Sequence, residues 1–242
     1  MWRRCVADIH LWLSLIVGIQ VLAWVVSGLF MAAQPIERVR SEHLLTAPTT
    51  VDLNASGSLI SAALAMASAE GPVKSLTLEM LGSLPVYVLD QHNSDSVLVD
   101  AQSGERLSPI SEALARAVAE DAIAGEESAM SATLIEHAPP TEYRGELPAW
   151  RVEFAGEDQL SVYVAADTGR VTARRSNLWR TYDFLWGLHI MDYRERSNFN
   201  HPLLISFSVG AVLMSIAGVV LLTLRLPARI RSRAPKTRAT AP

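Results

Sequence analysis

Two long uncharged apolar runs, one near each end, constrain this chain more than any other feature. Leu11 to Ala33 is 23 residues without a charge, and Leu203 to Leu224 is 22. As helices they reach roughly 33–35 Å, enough to cross a hydrocarbon core of about 30 Å. The segment between them has ordinary soluble composition. The pattern predicts a membrane hairpin with a domain hung between its legs.

The basic residues orient the hairpin. Arg3 and Arg4 precede the first run. Arg225, Arg229, Arg231, Arg233, Lys236 and Arg238 follow the second, with no acidic residue after it. Short Lys/Arg-rich flanks stay in the cytoplasm, so both termini are expected there and the middle segment outside, in the periplasm of a bacterium. Residues 34–201 carry 13 Lys and Arg against 24 Asp and Glu, a net of −11. So acidic a domain is not expected to bind nucleic acid.

The first run is too long for the apolar region of a cleaved signal peptide, and Met31-Ala32-Ala33 is a poor cleavage site, so an uncleaved anchor is expected. The single cysteine, Cys5, falls on the cytoplasmic side. The exported segment therefore has no disulfide, thiolate metal site or cysteine nucleophile, and must rest on a packed core.

Within that segment one pattern occurs twice. An Ala-rich helical stretch, Ser58 to Ala69, with a cap near Ser56 and Gly57, precedes strand-like runs at Val73–Met80, Pro85–Asp90 and Ser96–Asp100. It closes on Asp100-Ala101-Gln102-Ser103-Gly104. A second helical stretch, Pro109 to Ala124, with Ser111 as cap, precedes runs at Ala132–Glu136, Trp150–Phe154 and Gln159–Ala165, and closes on Asp167-Thr168-Gly169. In such turns Asp caps backbone amides and Gly takes a positive φ; they carry no chemistry.

Val162-Tyr163-Val164-Ala165-Ala166-Asp167-Thr168-Gly169-Arg170-Val171 resembles the closing strand and turn of the PepSY domain. Val97-Leu98-Val99-Asp100-Ala101-Gln102-Ser103-Gly104-Glu105 is similar to a second example. The first span, with Ile9-His10-Leu11-Trp12-Leu13, Gly18 and Ser27-Gly28, resembles the PepSY-associated transmembrane helix. So does Leu185-Trp186-Gly187-Leu188-His189-Ile190-Met191-Asp192-Tyr193, followed by Phe199-Asn200-His201-Pro202-Leu203. The resemblance implies an α+β periplasmic region of two tandem helix-plus-antiparallel-sheet modules, flanked by two transmembrane helices. The expected boundaries are a cytoplasmic N-terminus over 1–10, a span over 11–33 and modules over 34–107 and 108–176. An amphipathic juxtamembrane helix and connector follow over 177–201, a second span over 202–225 and a basic cytoplasmic tail over 226–242. PepSY modules serve as inhibitors, chaperone-like propeptides and sensors. Larger four-span relatives include proteins implicated in iron–siderophore reduction, with haem on span histidines.

Three histidines are the candidate cofactor-binding residues. His10 lies at the cytoplasmic mouth of the first span, at a depth where an ionisable side chain is a functional hypothesis and where haem ligation is ordinary His chemistry. Matching the two spans end to end places it opposite Leu221–Arg225, which offers no second ligand, so a partner copy or another subunit would have to supply one. The bland alternative is an interfacial His bonding backbone or headgroups. His189 ends an amphipathic stretch, Asn177 to Tyr193, whose Trp and Tyr residues favour the membrane interface. His201 stands before Pro202, with Met31, Gln34 and Met191 expected nearby. A haem or metal site at the outer surface is one reading of these two. The other is a helix start at Asn200-His201-Pro202 and a His189 bonded to Asp192 or a carbonyl.

Gln20, mid-span, reads as an interhelical hydrogen bonder level with Met214–Ser215, and Ser14/Gly18, Ser206/Gly210 and Met214/Gly218 as close-contact positions. His43, His92 and His137 lack ligand spacing, and Glu126-Glu127 and Glu157-Asp158 read as solvated turns. Neither H-E-x-x-H, G-x-S-x-G nor a phosphate-binding Gly loop occurs. Two function classes follow. One is a non-enzymatic, membrane-anchored binding or regulatory module, set by resemblance in iron or haem biology. The other is a haem-b electron-transfer subunit. A homodimer or a membrane or periplasmic protein is the expected partner of either.

Overall fold

A computed structural model describes residues 2–46, 57–92, 95–124 and 128–232. The cap expected at Ser56, the turn at Glu126-Glu127 and the tail from Arg233 onward lie outside these. The chain divides into two compact units, residues 1–33 with 183–242, and residues 34–182.

The first unit is built on two long helices, α1 (Trp2–Ala33) and a last helix, α6 (Pro202–Ser232). Their apolar windows have mean hydropathies of 2.2 and 2.3. Both leave large apolar side chains exposed along their length, Ile19 at 76% and Val219 at 61% among them. That surface suits lipid rather than water. Glycines set the contact between the helices. A Cβ at Gly218 would stand 3.0 Å from His10 Cε1, and one at Gly210 would stand 3.0 Å from Val17 Cγ2. A seven-residue step up α1 thus matches an eight-residue step down α6. The pair is antiparallel, with His10 opposite Met214–Gly218 rather than opposite Leu221–Arg225. End-to-end matching of the two apolar runs fails because close packing at glycine, not the edges of the runs, fixes the register.

The second unit opens with α2 (Ile36–Val39) and a 3₁₀ turn over Glu42–Leu44, and continues through α3 (Ala62–Met66). The strands β1 (Val73–Leu81), β2 (Leu84–Gln91) and β3 (Val97–Asp100) form one antiparallel sheet in the order 1-2-3. After α4 (Glu112–Asp121), β4 (Ala129–Ile135), β5 (Ala149–Phe154), β6 (Ser161–Ala165) and β7 (Val171–Arg175) form a second, in the order 4-5-6-7. The two sheets are separate but share a core. Val86, Val88 and Leu98 of the first pack in one cluster with Val152, Val162 and Val164 of the second and with Ala115 and Val118 of α4. Ser108 links β3 to the turn after β6: its hydroxyl accepts from the Leu98 amide (2.6 Å) and donates to the Asp167 carbonyl (2.5 Å).

The sequence repeat has a backbone counterpart. Ala101 N–H bonds the Pro85 carbonyl as Ala166 N–H bonds that of Pro148, both at 2.9 Å. Gly104 N–H bonds Asp100 as Gly169 N–H bonds Ala165, again at 2.9 Å. Both glycines have positive φ, 80° and 69°, and at the first turn the Asp100 carboxylate accepts from the Gln102 and Ser103 amides. Ser111 caps α4 through the Leu114 amide.

Two local expectations change. The first helix is five residues rather than twelve and starts after Ser61. Ile60 is held to the sheet instead, its amide on the Ala101 carbonyl (2.8 Å) and its carbonyl under Tyr87 Oη (2.9 Å). Beyond the Gly169 turn the chain returns as β7, an added strand that the Arg-rich run Val171-Thr172-Ala173-Arg174-Arg175 does not advertise. A helix α5 (Asn177–Ile190) follows, its first turns in the second unit and its remainder in the first.

Candidate functional site

The polar groups of the membrane unit gather where the end of α5 meets α1. Trp24 Nε1 donates to the His189 carbonyl (2.7 Å), and Gln20 Nε2 donates to the Leu188 carbonyl (3.4 Å). The Ser27 hydroxyl donates to the Ala23 carbonyl (2.7 Å) and accepts from His189 Nδ1 at 2.9 Å. Ser27 is fully buried, and Gly28 beside it makes room for the ring: a Cβ there would stand 3.6 Å from His189 Cε1. Gln20 therefore bonds a carbonyl of α5, not a residue of α6. With Ala33 closing α1, these contacts run from about 9 to 20 Å below its end. The end of α5 descends alongside α1 instead of lying flat outside it, because Trp24, Ser27 and Gln20 offer donors and an acceptor to a helix end whose last carbonyls lack partners.

The connector after α5 folds on itself. Asp183, 7% exposed, pairs with Arg196, and Trp186 Nε1 donates to the Arg196 carbonyl (3.2 Å). Gly187 is needed here: a Cβ would lie 2.8 Å from Arg196 Cγ. Asp192 does not meet His189. Its carboxylate accepts from the amides of Asn198 (3.1 Å), Ser197 (3.0 Å) and Glu195 (3.2 Å), which hold it well below the usual carboxylate range.

Of the three histidines, His10 donates from Nδ1 to the Met214 carbonyl (3.0 Å), since a carbonyl can only accept. His189 donates to Ser27 as described. His201 stands at the start of α6, where its Nδ1 accepts from the Leu203 amide (3.3 Å). His10 and Ser27 lie 17 residues apart on one helix, about 25 Å, so His10 and His189 occupy different levels and do not converge.

In the α+β unit the densest polar cluster centres on Glu142, which no spacing in the sequence singles out. Tyr163 Oη donates to one carboxylate oxygen (2.6 Å) and Arg180 Nε to the other (2.7 Å), with Arg151 at 3.7 Å. Burial pushes the Glu142 carboxyl up, but the hydrogen bonds from Arg180 and Tyr163 and the charges of both arginines outweigh it and hold the group below its ordinary value. Burial, then the Glu142 charge, pushes the Tyr163 phenol up, so it remains a donor. Tyr143 stacks on Tyr163 with centroids 4.4 Å apart. Both carboxylate oxygens are occupied, and the cluster is a brace between β6, α5 and the loop before β5. Among the described residues, no three of His, Cys, Asp and Glu are grouped to hold a metal.

Fold and site define a membrane protein with two terminal apolar helices and an α+β unit of two antiparallel sheets between them. Residues 7–230 match the family described as the PepSY-associated TM region, and the chain belongs to that family. No curated protein and no solved structure matches the chain.

Proposed function

We propose that this protein anchors two tandem PepSY-like modules to the bacterial inner membrane, both termini in the cytoplasm, and that the modules bind and regulate a periplasmic protein without catalysing a reaction. The observation that carries this reading is the open edge of β4. Among the described residues the strand Ala129-Met130-Ser131-Ala132-Thr133-Leu134-Ile135 pairs only with β5 and holds no charge; α4 bonds its first residue, Ala129, through Arg116 and Glu120, and beyond it the strand exposes Met130 (68%) and Leu134 (39%). Exposed edges usually carry charges or proline that block further pairing; this one invites an added strand. A photoreactive amino acid at Met130, irradiated in cells, is expected to give a discrete adduct that the same group at exposed Glu157 does not give. Equal labelling at both sites, or at neither, contradicts it.

A second reading rests on the histidines. His10 and His189 each engage Nδ1 with an oxygen, which fixes the tautomer and leaves Nε2 with an in-plane lone pair, the arrangement that orients a metal-ligating imidazole. A haem b held there would supply one-electron transfer. The chain offers one such imidazole at each level, so a second axial ligand has to come from another copy or subunit. The purified protein, oxidised and then reduced, would show a Soret band and sharp reduced α and β bands, lost on His10→Ala or His189→Ala. A flat visible spectrum removes this reading.

A further inference from the structure

We infer that the N-terminal end of α1 carries a self-complementary face on which a second copy of the chain docks. A shallow, largely apolar groove runs along this end, lined by Arg4, Cys5, Asp8, Ile9 and Trp12, with Leu213 of α6 as its other wall. The residues recur at four-residue steps (4, 8, 12 and 5, 9), so they form one continuous stripe of the helix. Trp12 is 62% and Ile9 49% exposed, and Cys5 is exposed. Arg4 and Asp8 stand one turn apart on this stripe, and neither forms an ion pair among the described residues.

The charges identify the occupant. Copies of one chain insert into a bilayer with the same orientation, so a symmetric pair has its two-fold axis along the membrane normal and equivalent residues at equal depth. Arg4 of each copy then reaches Asp8 of the other, and the pair is formed twice. A phospholipid fits less well. Its phosphate would satisfy Arg4 but would be repelled by the Asp8 carboxylate, one helical turn or about 6 Å along the same stripe. His10 is on the far side of α1, against α6, so this dimer does not bring two His10 rings together.

Cys5 is the only cysteine in the chain, which makes the test direct. In membranes containing the full chain, copper–phenanthroline oxidation is expected to yield a disulfide-linked dimer that Cys5→Ser abolishes, since a disulfide needs Cα atoms within about 7 Å. Asp8→Arg removes both copies of the pair and sets a second cation against Arg4, so it should lower the yield at least about fivefold. The exchange Arg4→Asp with Asp8→Arg should restore it. That exchange conserves the charge of the flank, so recovery separates a lost pair from a misinserted chain. No dimer at Cys5, a yield unchanged by Asp8→Arg, or failure of the exchange to restore it overturns the proposal; a groove filled by lipid gives the first of these.

Discussion

His189 Nδ1 lies 2.9 Å from Ser27 Oγ, joining residues 162 positions apart in the chain and tying the end of α5 to the buried face of α1. Trp24 bonds the backbone of the same histidine. The connector is therefore held through one residue by both its side chain and its carbonyl.

Losing that contact should be measurable but modest. Ser27→Ala is expected to destabilise the membrane unit by about 0.5–1.5 kcal/mol, as interhelical hydrogen bonds in membranes generally do. Two glycine substitutions sharpen the comparison. Gly28→Ala puts its Cβ at an ordinary 3.6 Å from His189 and should be nearly neutral. Gly218→Ala puts its Cβ 3.0 Å from His10, presses that ring back by a few tenths of an ångström against its bond to the Met214 carbonyl, and should cost more. Unfolding in detergent, followed at α1 by Trp24 fluorescence in a chain whose other five tryptophans are replaced by Phe, gives the order.

The shared core predicts one transition for both sheets. Leu98 is fully buried in the first sheet and packs in the cluster that holds Val152 and Val162 of the second. Leu98→Ala should cost about 2–5 kcal/mol. Trp150 fluorescence, read in a chain whose other five tryptophans are replaced by Phe and so reporting from the second sheet, should shift to the same lower midpoint as far-UV circular dichroism. Two separated midpoints would show that the sheets unfold independently.

Acid should weaken the protein through two carboxylates. Asp192, held by amides, and Glu142, held against burial by Arg180, Tyr163 and Arg151, both have folded values below their ordinary ones. The unfolded chain thus takes up protons first, near about pH 4. Their contribution is complete above that range and is lost as pH falls through it toward the depressed folded values. Glu142→Gln and Asp192→Asn should each lower stability at pH 7 and flatten its fall toward pH 3, as chemical denaturation at the two pH values would show.

These features were unequally visible in the sequence. Charge-free length alone reveals α1 and α6, because a bilayer demands it. Alternation at Val86-Tyr87-Val88 reveals β2, and Gly104 and Gly169 mark turns because both need a positive φ. The register of α1 on α6 was not legible, since a Cβ-free approach at Gly210 and Gly218 decides it and either apolar run could slide. The shortening of α3 depends on Ile60 bonding Ala101, 41 residues away in the turn after β3. The Glu142 brace draws on β5, β6 and α5, and one carboxylate among the 24 of an acidic segment carries no mark of it. His189 was visible as a candidate, but its partner Ser27 was visible only as a small residue beside Gly28.

The orientation of the hairpin underlies the proposed function, and thiol labelling in cells stripped of their outer membrane tests it most directly. A membrane-impermeant maleimide should label a cysteine placed at exposed Glu157 in the Cys5→Ser chain while the cells are intact. In the unaltered chain, Cys5 should react only after lysis. Labelling of Cys5 in intact cells, with the cysteine at position 157 protected until lysis, would put the α+β unit in the cytoplasm and contradict a periplasmic binding role.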